Sequence, residues 1–304
     1  MKLLMLPHYK EVGLDNGVGQ VLYHYHKYLP QVGIELTTNP DDGFDLFASH
    51  LGHNLLNDDE SIKYADIFFS HGFWWGNNIS DKKREQNDSL TKCAVNAKAV
   101  VVPSNFVAAT FKRDFRLQPY VIPHGIEYQA WQHNYKSEGF ILWNKNRVSD
   151  VCDPNPIYEL AVRMNKYDYV TTFIPQDEQP IPNLKVTGRL PFKQMKTVIQ
   201  KSGIYLATTK ETFCIGALEA LASGIPVLAF NWGGVADIIT HKQDGYLVSP
   251  YDYDALEEGL EWLMKNRKTL KSNCIEKAKQ YSWLNVAEQI KGVCKRVLEW
   301  KLNN

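Results

Sequence analysis

Short apolar runs alternate with amphipathic segments along the whole 304-residue chain. Runs rich in Val, Ile, Leu, Phe and Tyr predict strands at 2–6, 34–37, 45–48, 67–70, 99–102 and 121–122. A second series follows at 140–143, 169–173, 185–187, 204–207, 227–229 and 246–248. Between them, helical spacing of apolar residues predicts helices over 18–29, 105–115, 193–201, 216–222 and 255–266. Strands alternating with helices predict parallel sheets covered on both faces. Two such series predict an α/β chain of two doubly wound domains rather than one large sheet. No periodic pattern runs through 127–138, so the boundary is expected there, between an N-terminal domain 1–130 and a C-terminal domain 131–283. The polar stretch 77–88 (Asn-Asn-Ile-Ser-Asp-Lys-Lys-Arg-Glu-Gln-Asn-Asp) reads as a mobile loop directly after a strand end, where open α/β sheets bind ligands.

Composition narrows the class without changing this picture. Hydrophobic residues make up 44% and charged residues 22%, as in a globular protein. Lysine plus arginine equals aspartate plus glutamate at 34 each, which argues against a surface that traps nucleic acid or anionic membrane as a whole. The apolar start Met-Lys-Leu-Leu-Met-Leu is broken by Pro7 and His8, and no run approaches the roughly 18 residues of a membrane span. Cys93, Cys152, Cys214, Cys274 and Cys294 are scattered and odd in number, so reduced thiols in a cytoplasmic protein are expected.

The strongest chemical signal runs from Lys210 to Val227: Lys-Glu-Thr-Phe-Cys-Ile-Gly-Ala-Leu-Glu-Ala-Leu-Ala-Ser-Gly-Ile-Pro-Val. It follows the strand at 204–207 and opens a helix. A helix start presents unpaired backbone N–H groups and a positive dipole end, a cradle for a diphosphate. Glu211 precedes that helix and Glu219 lies eight positions later inside it, so two carboxylates flank whatever lies across the helix start. Carboxylates accept hydrogen bonds from paired hydroxyls, which sugars supply.

This segment resembles the Glu-(seven residues)-Glu signature of family 4 retaining glycosyltransferases, and the likeness extends through Gly233-Gly234 and Asp244-Gly245-Tyr-Leu-Val. The resemblance implies a GT-B fold, two Rossmann-like domains facing a cleft, and a helix over 284–304 that packs back on the first domain. It also implies that Glu211 binds donor-sugar hydroxyls and Glu219 the ribose, with Phe213, Cys214, Ile215 and Gly216 around the phosphates. Cys214 stands where the family usually has glycine. Arg147, in Leu142-Trp-Asn-Lys-Asn-Arg, fits the family's phosphate-binding arginine. The lysine that normally follows is missing, with Asp153 near its place, and Lys145 supplies a second charge instead. Arg189 ends a further strand and borders the nucleobase pocket in this reading.

The first half carries weaker motifs. Gly13-Leu-Asp-Asn-Gly17-Val-Gly19-Gln20 follows the first strand and is similar to the family's glycine-rich loop, with Gly17 and Gly19 letting backbone approach the donor. His71, in Phe69-Ser-His-Gly, matches the histidine beside the transferred sugar, and His50 is the second choice. Ser104 is a helix N-cap as well as part of a family motif, and His124 and Gly125 shape the cleft. The implied reaction is metal-independent transfer with retention from a nucleotide-diphosphate sugar of UDP or GDP type, with no cofactor. The acceptor reads as a glycan or lipid-linked saccharide, with Lys82-Lys83-Arg84 beside Phe73-Trp74-Trp75 as its cationic and stacking groups. Peripheral membrane contact is compatible with it. Two alternatives stay open: glycosylation of a hydroxymethylated base in DNA, which the neutral net charge disfavours, and a GT-B protein that binds a nucleotide sugar without transferring it.

Overall fold

The two predicted strand series form two separate sheets. In the computed structural model, which describes residues 1–14, 16–56, 61–74, 79–149, 151–175 and 180–303, the chain divides into Met1–Gly125 with the segment from Trp283 on, and Ile126–Ser282. The first unit begins β1 (Lys2–Leu6), α1 (Tyr9–Val12), α2 (Gly17–Tyr28), β2 (Glu35–Thr37) and β3 (Leu46–His50). A small antiparallel pair, β4 (Leu55–Leu56) and β5 (Ile62–Lys63), precedes β6 (Ile67–Phe69), α3 (Asp81–Asn96), β7 (Ala99–Val102), α4 (Asn105–Phe115) and β8 (Tyr120–Val121). The second unit runs α5 (Tyr128–Trp131), β9 (Ile141–Trp143), α6 (Asn155–Arg163), β10 (Tyr169–Thr171), β11 (Leu184–Val186), α7 (Phe192–Lys201) and β12 (Ile204–Ala207). It continues with α8 (Ile215–Ala222), β13 (Val227–Phe230), α9 (Val235–Ile238), β14 (Gly245–Val248) and α10 (Tyr253–Lys279). The last helix, α11 (Trp283–Asn303), belongs to the first unit.

The strand orders are β2-β1-β3-β6-β7-β8 and β11-β10-β9-β12-β13-β14, with parallel pairing throughout both sheets. In each sheet the chain first winds outward on one side of its opening strand and then returns to wind on the other. That reversal leaves a crevice at the carboxyl ends of two neighbouring strands, β1 and β3 in one unit and β9 and β12 in the other. The central strands are buried on both faces, as a parallel sheet under two helix layers requires: Leu3, Leu4, Met5, Ile141, Leu142, Trp143, Ile204 and Tyr205 are fully enclosed.

Three segments depart from the predicted elements. Of the polar stretch expected to be a loop, 81–88 form the first two turns of α3, Ile79 and Ser80 precede it, and residues 77 and 78 lie outside the described residues. Its helical register is set further on, where Leu90, Cys93 and Ala94 bury one face. Helix α10 extends well past 266 because Leu270, Cys274 and Ala278 continue its buried stripe at four-residue spacing. The unit boundary falls before 127, since α5 joins the C-terminal core: Trp131 is 5% exposed and its carbonyl accepts from Gln200 Nε2 at 3.0 Å. Helix α11 packs on α2, with Val286, Ile290, Val293 and Val297 buried, and Trp283 stacks on His24 at 4.6 Å. All five cysteines are buried free thiols. Among the described residues no helix is long and apolar enough to cross a membrane.

Candidate functional site

The crevice at the end of β9 and β12 gathers most of the predicted C-terminal residues. Just past β9, Lys145 extends its ammonium to Glu211, which lies past β12, with Nζ 2.8 Å from Oε1. Both side chains are largely enclosed, at 17% and 20% exposure. Burial alone would raise the Glu211 carboxyl, but the charge and hydrogen bond of Lys145 hold it below its ordinary value, helped by the Cys214 thiol and the charge of Arg147. Burial likewise opposes the Lys145 ammonium, and Glu211 outweighs it, so that lysine titrates well above its usual range. The two shifts agree: this is an ionised pair held out of water. Beneath it the Tyr205 hydroxyl donates to Asn144 Oδ1 at 2.6 Å. A Cβ on Gly216 would lie 2.2 Å from that hydroxyl oxygen, so only glycine lets α8 start directly over it.

The approach to α8 is tightly held. Gly234 N–H donates to the Glu211 carbonyl at 2.8 Å, and Lys210 N–H to the Val151 carbonyl at 2.8 Å. Cys214 is the N-cap of α8 with φ +78° and ψ +65°, a left-handed conformation that explains why glycine is the usual residue there. An L-residue in that region carries strain of about 1–2 kcal/mol. Inside α8, Glu219 is half-buried, and burial raises its carboxyl to about 7. Lys145 and Lys196 oppose that rise without reversing it. Among the described residues no donor meets the Glu219 carboxylate, in contrast to Glu211.

The other predicted residues fall into place unevenly. Ile215 is the first residue of α8 and half-buried, whereas the Phe213 ring is 3% exposed and packs toward Tyr281 at 6.2 Å, so its side chain belongs to the core rather than to a ligand surface. Arg147 is exposed on the loop after β9. That loop is folded back by reciprocal Ser149–Cys152 backbone bonds and by the Cys152 thiol donating to the Arg147 carbonyl at 3.3 Å. Asp153 accepts from Asn155 N–H at 2.9 Å and thereby starts α6. Arg189 is exposed beyond the edge strand β11. Asn144, Tyr205 and Cys152 were not predicted. Only Asn144 carried a positional signal, directly after β9; Tyr205 lies inside β12 and Cys152 well beyond β9 along the chain.

The acidic pair in Asp252-Tyr253-Asp254 serves the fold. Asp252 accepts from Ala255 N–H at 3.0 Å to cap α10, and Asp254 pairs with Arg163. Among the described residues no group of three or more His, Cys, Asp or Glu is arranged to hold a metal ion. A cavity of about 500 Å³ lies at the opposite end of the C-terminal sheet, beside the starts of β9 and β10, lined by Phe140, Asp168, Tyr169, Leu184 and Val198. It contains none of the predicted site residues.

In the N-terminal unit, histidines stand at the carboxyl ends of the neighbouring strands β3 and β6. His50 closes β3, and its Nδ1 lies 2.9 Å from His71 Nε2, which follows β6. The His71 ring stacks on His124 at 5.9 Å. Burial lowers His71 to about 4 and His124 to about 3, and lowers His50 well below its ordinary value. Gly17 opens α2 behind the N-cap Asn16, whose Oδ1 accepts from Gly19 N–H at 2.9 Å. The space where Gly19 lacks a Cβ is filled by the Gly13 carbonyl, 1.7 Å from where that carbon would stand. Its glycine requirement is therefore met by the chain's own backbone; Asp15 lies outside the described residues. Ser104 caps α4, its Oγ accepting from Val107 N–H at 3.2 Å. Trp74 is fastened to α3 by paired bonds with Asn87 and by Nε1–H donating to Gln86 at 2.6 Å, with Lys83 over its ring at 4.4 Å. Trp75 lies outside the described residues.

Comparison with known proteins bears on the same unit. Residues 175–281, which include α7, β12, α8 and the Glu211–Glu219 segment, match the sequence model of the family described as glycosyl transferases group 1. An uncharacterised glycosyltransferase of Methanocaldococcus jannaschii is 31% identical over 100 residues, 32% of this chain and 26% of that protein. A D-inositol 3-phosphate glycosyltransferase of Corynebacterium urealyticum is 29% identical over 104 residues, 33% of this chain and 24% of that protein. The aligned stretches thus span only about a quarter of these relatives' length. Over the whole chain the likeness is one of fold. A sucrose-phosphate synthase from Thermosynechococcus elongatus superposes with a TM-score of 0.77 at 13% identity, covering 98% of this chain and 99% of the other. HepE of Anabaena, crystallised with UDP-glucose, superposes at 0.66 and 14% identity, covering 97% and 100%. The chain has the GT-B fold, two Rossmann-like α/β domains, and its C-terminal domain carries a glycosyl transferases group 1 segment.

Proposed function

We propose that the protein is a retaining glycosyltransferase that moves a sugar from a nucleotide-diphosphate sugar, of UDP or GDP type, to a hydroxyl acceptor. One observation carries the reading: the Lys145–Glu211 ion pair stands at the crevice where the strand order reverses, directly before the α8 N-terminus. The matched family segment and the UDP-glucose bound by the Anabaena neighbour support it. In this reading the α8 amides at Ile215 and Gly216, with Lys145 and Arg147, take the diphosphate. Glu211, ionised and fixed by Lys145, accepts from donor-sugar hydroxyls. Glu219, which no donor meets among the described residues, accepts from the two ribose hydroxyls. Arg189 borders the base, and the acceptor, a glycan or lipid-linked saccharide, is assigned to the N-terminal unit.

Chemically, the bond from the anomeric carbon to the phosphate oxygen breaks while the acceptor oxygen bonds to the same face of that carbon. The acceptor proton passes to the departing phosphate oxygen, so charge and atoms balance without a protein nucleophile. The chain's contribution is electrostatic: Lys145, Arg147 and the helix dipole stabilise the negative charge that develops on the leaving diphosphate. Binding and slow hydrolysis of a panel of UDP-, GDP- and ADP-sugars test the proposal. One nucleotide class should turn over, and Glu211→Gln should lower that rate by about a hundredfold or more. Tight binding with no turnover of any donor, or turnover indifferent to Glu211, would overturn it.

A further inference from the structure

His50 and His71 meet through one ring nitrogen each, His50 Nδ1 and His71 Nε2, at 2.9 Å. A hydrogen bond between two imidazole nitrogens holds a single proton, so one neutral ring donates and the other accepts. If His71 Nε2–H donated, neutral His50 would carry its own proton on Nε2. That atom is buried and has no hydrogen-bond partner among the described residues. The proton would then be an orphaned buried donor, the rarer and less tolerated kind of unpaired group. If His50 Nδ1–H donates, His50 Nε2 keeps only a lone pair, and His71 must hold its proton on Nδ1. Charging either ring gives no escape. Burial disfavours it for both, and the groups around His50 are four further histidines (His26, His53, His71 and His124) and Tyr25. The His50 ring cannot swing away, being fully enclosed and stacked on Phe69 at 4.6 Å and 10°.

We infer that His50 is a positioning residue that fixes His71 as its neutral Nδ1–H tautomer, a ring that donates through Nδ1 and keeps no lone pair with which to act as a base. This tautomer is the reverse of the Nε2–H form that a solvated imidazole side chain prefers. The effect on turnover rests on the proposed function; the tautomer rests on the geometry of the N-terminal unit alone.

Long-range proton–nitrogen correlation on the uniformly ¹⁵N-labelled full chain at neutral pH reads the tautomer directly, with His71 assigned by His71→Gln. Wild type should show His71 protonated on Nδ1. His50→Asn places an amide N–H where His50 Nδ1 stands and should preserve that form, whereas His50→Leu should release His71 to Nε2–H. An Nε2–H signal for His71 in wild type overturns the inference, and so does an unchanged tautomer in a folded His50→Leu. Should His50→Leu fail to fold, wild type and His50→Asn still decide it. With a donor that turns over, His50→Leu should lower kcat by about five- to tenfold, the equivalent of one neutral hydrogen bond, and His50→Asn should restore it. If no donor turns over, the proposed function fails while the spectra continue to judge the tautomer.

Discussion

Replacing Lys145 with methionine keeps the length of the side chain and removes the charge that Glu211 faces at 2.8 Å. At an effective dielectric of about 20 the gross attraction at that distance is about 6 kcal/mol, most of it offset by the desolvation of both ions. The measurable loss is set by what Glu211 does alone. It can escape by taking a proton, and at pH 7 that costs at most (7 − 4.5) × 1.36, or about 3.4 kcal/mol, from its ordinary value of 4.5. With some exposure remaining, a loss of about 2–3 kcal/mol is expected, or roughly 5–10 °C in the melting of a unit this size. The sign with pH follows from the two shifts. Glu211, held low, contributes stability above its ordinary value of 4.5 that is lost as pH falls through its folded value. Lys145, held high, contributes stability below 10.5 that is lost only as pH rises through its own folded value. Calorimetric melting of wild type, Lys145→Met, Glu211→Gln and the double variant at pH 7.5 and pH 4 should show a large gap at the first pH and a smaller one at the second. The double variant should recover most of the loss. A Lys145→Met protein that melts with wild type at pH 7.5, or a gap that persists unchanged at pH 4, refutes the buried ion pair.

Three further outcomes follow from the same geometry. Glu219, raised to about 7 by burial, makes wild type lose stability as pH rises from 4.5 through 7; Glu219→Gln should therefore be more stable than wild type at pH 8 by about 1–3 kcal/mol, equal to it near pH 4, and weaker in nucleotide binding by titration calorimetry. At the left-handed N-cap, Cys214→Gly should exceed Cys214→Ala in denaturant stability by about 1 kcal/mol, and equal midpoints would show that φ there is not positive in solution. Gly19→Ala, favourable by helix propensity, should instead cost about 2 kcal/mol or more, because its Cβ meets the Gly13 carbonyl; a stabilised variant would contradict that contact.

The fold was legible because parallel sheets buried on both faces write themselves as apolar runs, and strands such as Ile204–Ala207 carry nothing else. Helix α3 was not legible at its start, since residues 81–89 are polar all round and the register is imposed later by Leu90, Cys93 and Ala94. In the candidate site, Glu211 and Glu219 were visible from their spacing at a helix start. The partnership of Lys145 with Glu211 was not, because the two lie on loops that follow strands which become neighbours only when the winding direction reverses. Phe213 shows the opposite failure: proximity to a motif suggested a ligand contact, and packing made it core. The His50–His71 bond likewise joins residues on neighbouring strands whose adjacency no local pattern encodes.

The N-terminal unit is assembled from two pieces of chain, with the whole of Ile126–Ser282 spliced between them. As the polypeptide is synthesised, the C-terminal unit has all of its residues before the N-terminal unit acquires α11. Until then the face of α2 that α11 covers has no partner in the nascent chain. The domain begun first is thus completed last, and any truncation that removes α11 strikes the stability of the half that starts the sequence. The contiguous piece 126–282, by contrast, has the covalent continuity to be expressed by itself.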